Sequence, residues 1–188
     1  MKFSLFLILL FFCSVDFTSC TTGRSSSRSP FAEATLKDVR ENNVEAMQKK
    51  IFAGDIRKEE RDMKGNSLLH VASGERSLGM ITLLVQSGWN INELNDNGEV
   101  ALHVAATRGD ASVIRFLLDN GARTEVFSNE DRLTPLYLAI SNHASTQIVS
   151  LFMKAGANPD AKDINGKTPL YFAKSMGLDE QVKIMSAR

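Results

Sequence analysis

Residues 163–168 read Asp-Ile-Asn-Gly-Lys-Thr, and Gly-Lys-Thr is how a phosphate-binding loop ends. Such a loop needs a second glycine five residues upstream, so that the N–H groups between can wrap the phosphates. It also needs a buried strand before it. Position 161 is Ala, and the span from Gly156 to Ile164 is polar and holds Pro159. The run is therefore read as a turn. The three histidines are His70, His103 and His143, and none forms a His-x-x-x-His pair, so the zinc-hydrolase pattern fails. Glu93 to Gly98 imitates the start of a calcium loop, but it opens with Glu and places Val104 where the bidentate Glu would stand. No Gly-x-Ser-x-Gly elbow occurs. Both cysteines, Cys13 and Cys20, lie within the first twenty residues, which excludes a disulfide frame, a thiolate nucleophile or a cysteine zinc site in the remainder. No residue set for catalysis, metal binding or a cofactor emerges, and the chain is read as a non-enzyme without cofactors.

The elements that could position a binding surface come next. The chain has 188 residues, 43% of them hydrophobic and 23% charged, as in an ordinary globular protein. Lys plus Arg balances Asp plus Glu at 22 each, which argues against a nucleic-acid partner. A small-molecule substrate is not expected either.

The N-terminus begins with Lys2 and an apolar run from Phe3 to Val15. The run is shorter than the roughly 20 residues that span a bilayer, so residues 1–19 are read as a signal peptide. Phe17-Thr18-Ser19-Cys20 resembles a bacterial lipobox, with Phe where Leu is usual. Cys20 is thus the expected lipidation site, and conventional cleavage with a secreted or soluble periplasmic product stays open. Residues 20–31, rich in Ser, Thr and Arg, form the expected flexible tether.

The rest repeats. His70, His103, Tyr137 and Tyr171 fall 33, 34 and 34 residues apart, each in a similar setting. Every copy starts with a polar turn, such as Asn95–Gly98 or Asp163–Gly166. A short helix follows, with Pro135 and Pro169 in its first turn and a buried face of Leu102, Val104 and Ala105, or Leu136, Leu138 and Ala139. A second helix carries a denser apolar stripe, for example Val113, Ile114, Phe116, Leu117 and Leu118, and ends at Gly88, Gly121 or Gly156. The third copy has one extra residue near Asn129–Leu133 and another near Ser141–Thr146. Arg76 stands in an inter-helix turn where Gly109 stands one copy later.

These motifs resemble the ankyrin repeat. Thr134-Pro135-Leu136-Tyr137 and Thr168-Pro169-Leu170-Tyr171 match its Thr-Pro-Leu-His core with Tyr for His. Leu69-His70-Val71-Ala72, Leu102-His103-Val104-Ala105-Ala106, Gly121-Ala122 and Gly156-Ala157-Asn158 match its other signatures. The resemblance implies an all-α solenoid of stacked helix-turn-helix units joined by hairpin-like turns, over residues 32–188. About five units are expected: a charged cap-like 32–62, then 63–95, 96–128, 129–162 and a C-terminal cap 163–188. It also implies structural roles for His70 and His103, whose rings would bond a neighbouring turn, while His143 is expected in an exposed loop.

By the same resemblance a protein partner would bind the concave face of turn tips and first helices. The implied contacts are Met63, Lys64 and Asn66; Asp96, Asn97, Glu99, Thr107 and Arg108; Asp131, Leu133, Ser141 and Asn142; Ile164, Asn165, Lys167 and Ser175. Their mixed charge suggests a polar, moderately specific interface. Trp89 follows Gly88 where the pattern has Ala; an exposed anchor and a packed ring are both open readings. The expected function is non-catalytic protein binding by a monomer in the bacterial cell envelope, lipid-anchored and facing the periplasm. The alternative is an immunity-type regulator of a co-localised enzyme or toxin.

Overall fold

The computed structural model describes residues 31–187. The signal segment 1–19, the lipidation site Cys20 and the tether as far as position 30 lie outside the described residues. Ten helices follow in five consecutive pairs: α1 (Glu33–Arg40) with α2 (Val44–Ala53), α3 (Leu68–Gly74) with α4 (Leu78–Gln86), α5 (Ala101–Arg108) with α6 (Ala111–Asp119), α7 (Pro135–Ser141) with α8 (Thr146–Lys154), and α9 (Pro169–Ser175) with α10 (Asp179–Ser186). The first helices pack in one row, α1–α3–α5–α7–α9, and the second helices in another, α2–α4–α6–α8–α10. A two-layer, all-helical solenoid results, as expected, and among the described residues there is no strand. None of the described helices is long and apolar enough to cross a membrane.

Local chemistry sets each helix. Thr134 and Thr168 cap α7 and α9 through their hydroxyls, which accept the N–H of Tyr137 and Tyr171, and Pro135 and Pro169 follow where no N–H is needed. Asp110 caps α6 by accepting from the N–H groups of Ser112 and Val113. The second helices end at Gly54, Gly88, Gly121 and Gly156, all at positive φ.

Each turn between paired helices also needs one left-handed residue. Gly109 and Gly177 supply it in two units, while Asn42, Arg76 and His143 supply it in the others. Arg76 gains a compensating bond, because its guanidinium donates to the Arg108 carbonyl at 2.7 Å in the next unit. His143, exposed at φ +55°, has no such bond among the described residues. A left-handed non-glycine residue costs about 1–2 kcal/mol, and a new glycine returns roughly 0.4–1 kcal/mol through unfolded-state entropy. His143→Gly is therefore expected to stabilise the fold by about 0.5–1 kcal/mol, measured as a rise in the urea midpoint.

One core runs the length of the stack. Its fully enclosed side chains include Met47, Leu69, Leu84, Leu102, Leu117, Leu136 and Phe152. In α6, Val113, Ile114 and Leu117 are buried, and Phe116 and Leu118 are half-buried. Phe31 is buried too, so packing begins one residue before the expected boundary of the domain. Trp89 adopts the packed alternative: only 5% of it is exposed, and the Lys58 ammonium lies 5.3 Å from its ring centroid while donating to the Gly88 carbonyl.

Candidate functional site

A polar hairpin precedes each of α3, α5, α7 and α9, and one side chain organises each hairpin. In the first, Asp62 accepts the N–H groups of Lys64 and Asn66 on one oxygen and the Asn66 amide on the other. Asn95 does the same one unit later for the N–H groups of Asn97 and Glu99. Ser128 accepts from the Leu133 N–H, and Asp163 from Asn165 and Lys167. The hairpins close by backbone bonds, Asp62 to Asn66, Asn95 to Glu99, Ser128 to Leu133 and Asp163 to Lys167. The third bond spans one more residue than the others, which is the first expected insertion, and Arg132 takes up the positive φ there. The second insertion lies between α7 and α8, in a four-residue connection where the neighbouring pairs use two or three.

The hairpins are locked to one another in both directions. Backward, the N–H groups of Asp96, Asn129 and Ile164 donate to the carbonyls of Lys64, Asn97 and Asp131. Forward, His70 donates from Nε2 to the Glu99 carbonyl at 2.9 Å, and His103 to the Leu133 carbonyl at 3.1 Å. The tautomer follows from the other ring nitrogen: Nδ1 accepts the Ser67 N–H in one ring and the Val100 N–H in the other. Tyr137, at the same position, reaches further and donates its hydroxyl to the Asp163 carboxylate at 3.2 Å. Burial and then Asp163 push that phenol up to about 12.

Both imidazoles must therefore be neutral. Burial is the main cause that lowers the pKa of each below 6.5; the Glu99 carbonyl and charge oppose it at His70, and the Leu133 carbonyl and Glu99 oppose it at His103. The unfolded chain binds these protons at higher pH than the fold does. The stabilisation is thus fully present above 6.5 and is lost as pH falls through the lowered folded values. Thermal midpoints are expected to hold steady at neutral pH and to drop on acidification from 6.5. A His70→Asn/His103→Asn variant, less stable throughout, should show a shallower drop over the same window.

Between hairpin tips and first helices runs a groove. One part, of 560 Å³, is lined by Met63, Lys64, Asn66, Val71, Gly74, Glu75, Asn97, Glu99, Val104 and Arg108, among others. The next part, of 260 Å³, is lined by Asn97, Glu99, Ser128, Glu130, Asp131, Leu133 and Leu138. Asn97 and Glu99 line both, so the two parts adjoin at these residues and together reach across three units.

Eight of the sixteen sequence-expected contacts meet in this groove: Met63, Lys64, Asn66, Asn97, Glu99, Arg108, Asp131 and Leu133. Two of them also serve the scaffold. Asn66 accepts from the Asn95 amide, and the Glu99 carboxylate accepts from the same amide. Asp96, Ile164, Asn165 and Lys167 are exposed at hairpin tips outside it. Thr107, Ser141, Asn142 and Ser175 sit at the ends of first helices, each bonded back to a carbonyl of its own helix.

Two residues expected in the buried face turn out otherwise. Val104 and Leu138 are half-exposed, and with Val71 they make the apolar floor of the groove. The signal for them was the apolar residue that immediately follows His70, His103 and Tyr137. His143 is exposed in its turn. Among the described residues no cluster of three or more potential metal ligands forms.

Comparison with known proteins agrees with this geometry. The models of the ankyrin repeat families match residues 69–118 ("Ankyrin repeats (many copies)") and 131–164 ("Ankyrin repeat"). A transient receptor potential cation channel subfamily A member 1 homolog of Caenorhabditis elegans is 30% identical over 168 residues, 89% of this chain and 13% of that protein. Rabankyrin-5 of Mus musculus is 31% identical over 124 residues, 61% of this chain and 11% of its own length. A B-cell lymphoma 3 protein homolog of Mus musculus is 30% identical over 121 residues, 62% of this chain and 27% of the relative. The chain thus spans only a small part of the curated relatives it matches. Repeat spacing, the two-way locking of the hairpins and these matches agree, and the chain belongs to the ankyrin-repeat family.

Proposed function

We propose that the chain is a non-catalytic binding module that receives a protein partner on its concave face. Ankyrin repeats generally mediate protein–protein interactions. The observation that carries the proposal is the pair of adjoining depressions that together reach across three units, with their apolar floor and polar rim. The shape suits an extended segment of another protein, which can place side chains in successive units. Rim residues such as Met63, 96% exposed, are not held by the scaffold and are available to a partner.

The test is a crosslinked capture with the full chain as bait. A groove variant carries Lys64→Ala, Asn97→Ala and Arg108→Ala. A control carries Arg115→Ala and Lys154→Ala, which lie on the second-helix row, on α6 and α8. Loss of a dominant partner with the groove variant alone is the expected result. Loss with the control alone would move the interface to the second-helix row.

We propose further that the protein is a bacterial, exported one, held in the cell envelope by lipid on Cys20 and facing the periplasm, with residues 20–30 as spacer. The apolar run of residues 3–15 and the lack of any cysteine after Cys20 support this. Cells fed labelled palmitate should label the wild-type chain and not Cys20→Ser. An unlabelled protein that has lost its first residues would instead be a secreted or soluble periplasmic one.

A further inference from the structure

The even charge of the chain is not even along the groove. The larger part mixes carboxylates with Lys64 and Arg108. The smaller part has Glu99, Glu130 and Asp131 on its rim, no cation, and Leu133 and Leu138 as its apolar surface. Arg132, the cation next to Asp131 in sequence, lies over the Phe127 ring, 4.9 Å from its centroid. Glu130 and Asp131 are both exposed, and no ion pair joins either side chain to a cation among the described residues.

An aliphatic floor under a ring of carboxylates has one natural occupant among side chains. Lys and Arg carry an apolar stem that packs on hydrocarbon and a charged head that seeks carboxylate. A volume of 260 Å³ has room for one such side chain and not for a folded element. Beside it, the larger part offers Val71, Gly74 and Val104, a bed for a small apolar side chain one unit away.

We propose that the partner of this groove is an extended protein segment that puts a Lys or Arg side chain between Glu130 and Asp131, over Leu138, and an apolar side chain over Val71 and Val104. The proposal rests on the concave-face reading above and names the chemistry of its ligand. Charge complementarity at this end also makes association dependent on ionic strength, because the attraction is screened by salt.

The experiment is selection from a displayed random dodecapeptide library against the full chain, repeated with Glu130→Lys/Asp131→Lys and with the groove variant Lys64→Ala/Asn97→Ala/Arg108→Ala. Circular dichroism checks that each protein is folded. Selected peptides are then titrated by fluorescence polarisation. The expected result is enrichment of Lys or Arg flanked by apolar residues, affinity that falls with added salt, and a loss of about tenfold or more in Glu130→Lys/Asp131→Lys. That variant should select acidic peptides instead. If peptides bind Glu130→Lys/Asp131→Lys as well as wild type but lose the groove variant, the groove binds and the basic-segment proposal falls. Binding untouched by either change sinks both readings. A folded protein that selects no peptide also overturns the proposal, as does a concentration-dependent dimer mass abolished by Glu130→Lys/Asp131→Lys, which would make a second copy the occupant.

Discussion

Phe152→Ala is expected to cost about 3–5 kcal/mol, the range for truncating an enclosed aromatic side chain. Phe152 is fully buried in α8, a helix that packs against α6, α7 and α10. In a stack, a unit touches only its neighbours, so there is no distant core to absorb the loss. The cost is a large share of the 5–15 kcal/mol that a domain has in total. Urea unfolding followed by circular dichroism should show a much lower midpoint, with the last two units loosening first. Phe52→Ala is the control: Phe52 is 82% exposed in the cap, and its truncation should stay within about 0.5 kcal/mol. A Phe152→Ala loss below about 1 kcal/mol would mean that the stack collapses around the gap instead of holding it open.

Asn95→Ala is expected to cost about 2–6 kcal/mol, from four hydrogen bonds of roughly 0.5–1.5 kcal/mol each. The Asn95 carbonyl oxygen holds the Asn97 and Glu99 N–H groups, and its amide holds Asn66 and the Glu99 carboxylate. One side chain thereby shapes its own hairpin and ties it to the hairpin before. Amide exchange should accelerate at Asp96 and Asn129, whose N–H groups lock the hairpins on either side. Asn95→Asp makes the comparison sharper. It keeps both backbone bonds, as Asp62 and Asp163 do in their own hairpins, but it loses both amide donations and faces the Glu99 carboxylate. An intermediate loss is the expected outcome. Since Asn97 and Glu99 line both parts of the groove, ligand binding should fail together with the hairpin.

The repeat itself was plain in the sequence because its punctuation is covalent chemistry. Pro135 and Pro169 can start a helix but not sit inside one, and glycines such as Gly88 and Gly121 mark positive φ. The recurrence of His70, His103, Tyr137 and Tyr171 then set the register, and the ring-to-turn bond expected of the histidines is present at both. What stayed hidden depends on neighbours that the local pattern does not reveal. Val104 lies within a run of buried residues, between His103 and Ala105, and so resembles core, yet it lines the groove as part of its floor. Asn95 looks like any turn residue until Asn66, 29 positions earlier, arrives beside it. Thr107 and Ser141 are polar residues at a helix end, which reads as a contact position, but their hydroxyls are spent on their own helices. The packed state of Trp89 needed Lys58 to be placed over the ring.

The stepwise locking of hairpin to hairpin also says how this protein would answer a pull. Because each unit grips only the next, tension along the stack would be borne by one interface at a time, and the weakest would part while the others hold. Each peeled unit of 33 or 34 residues would release roughly 110 Å of extended chain where about 10 Å of stacked helix had been. Stretched at its two ends, the chain would behave as a series of clasps that open in equal steps, lengthening severalfold without a single global rupture.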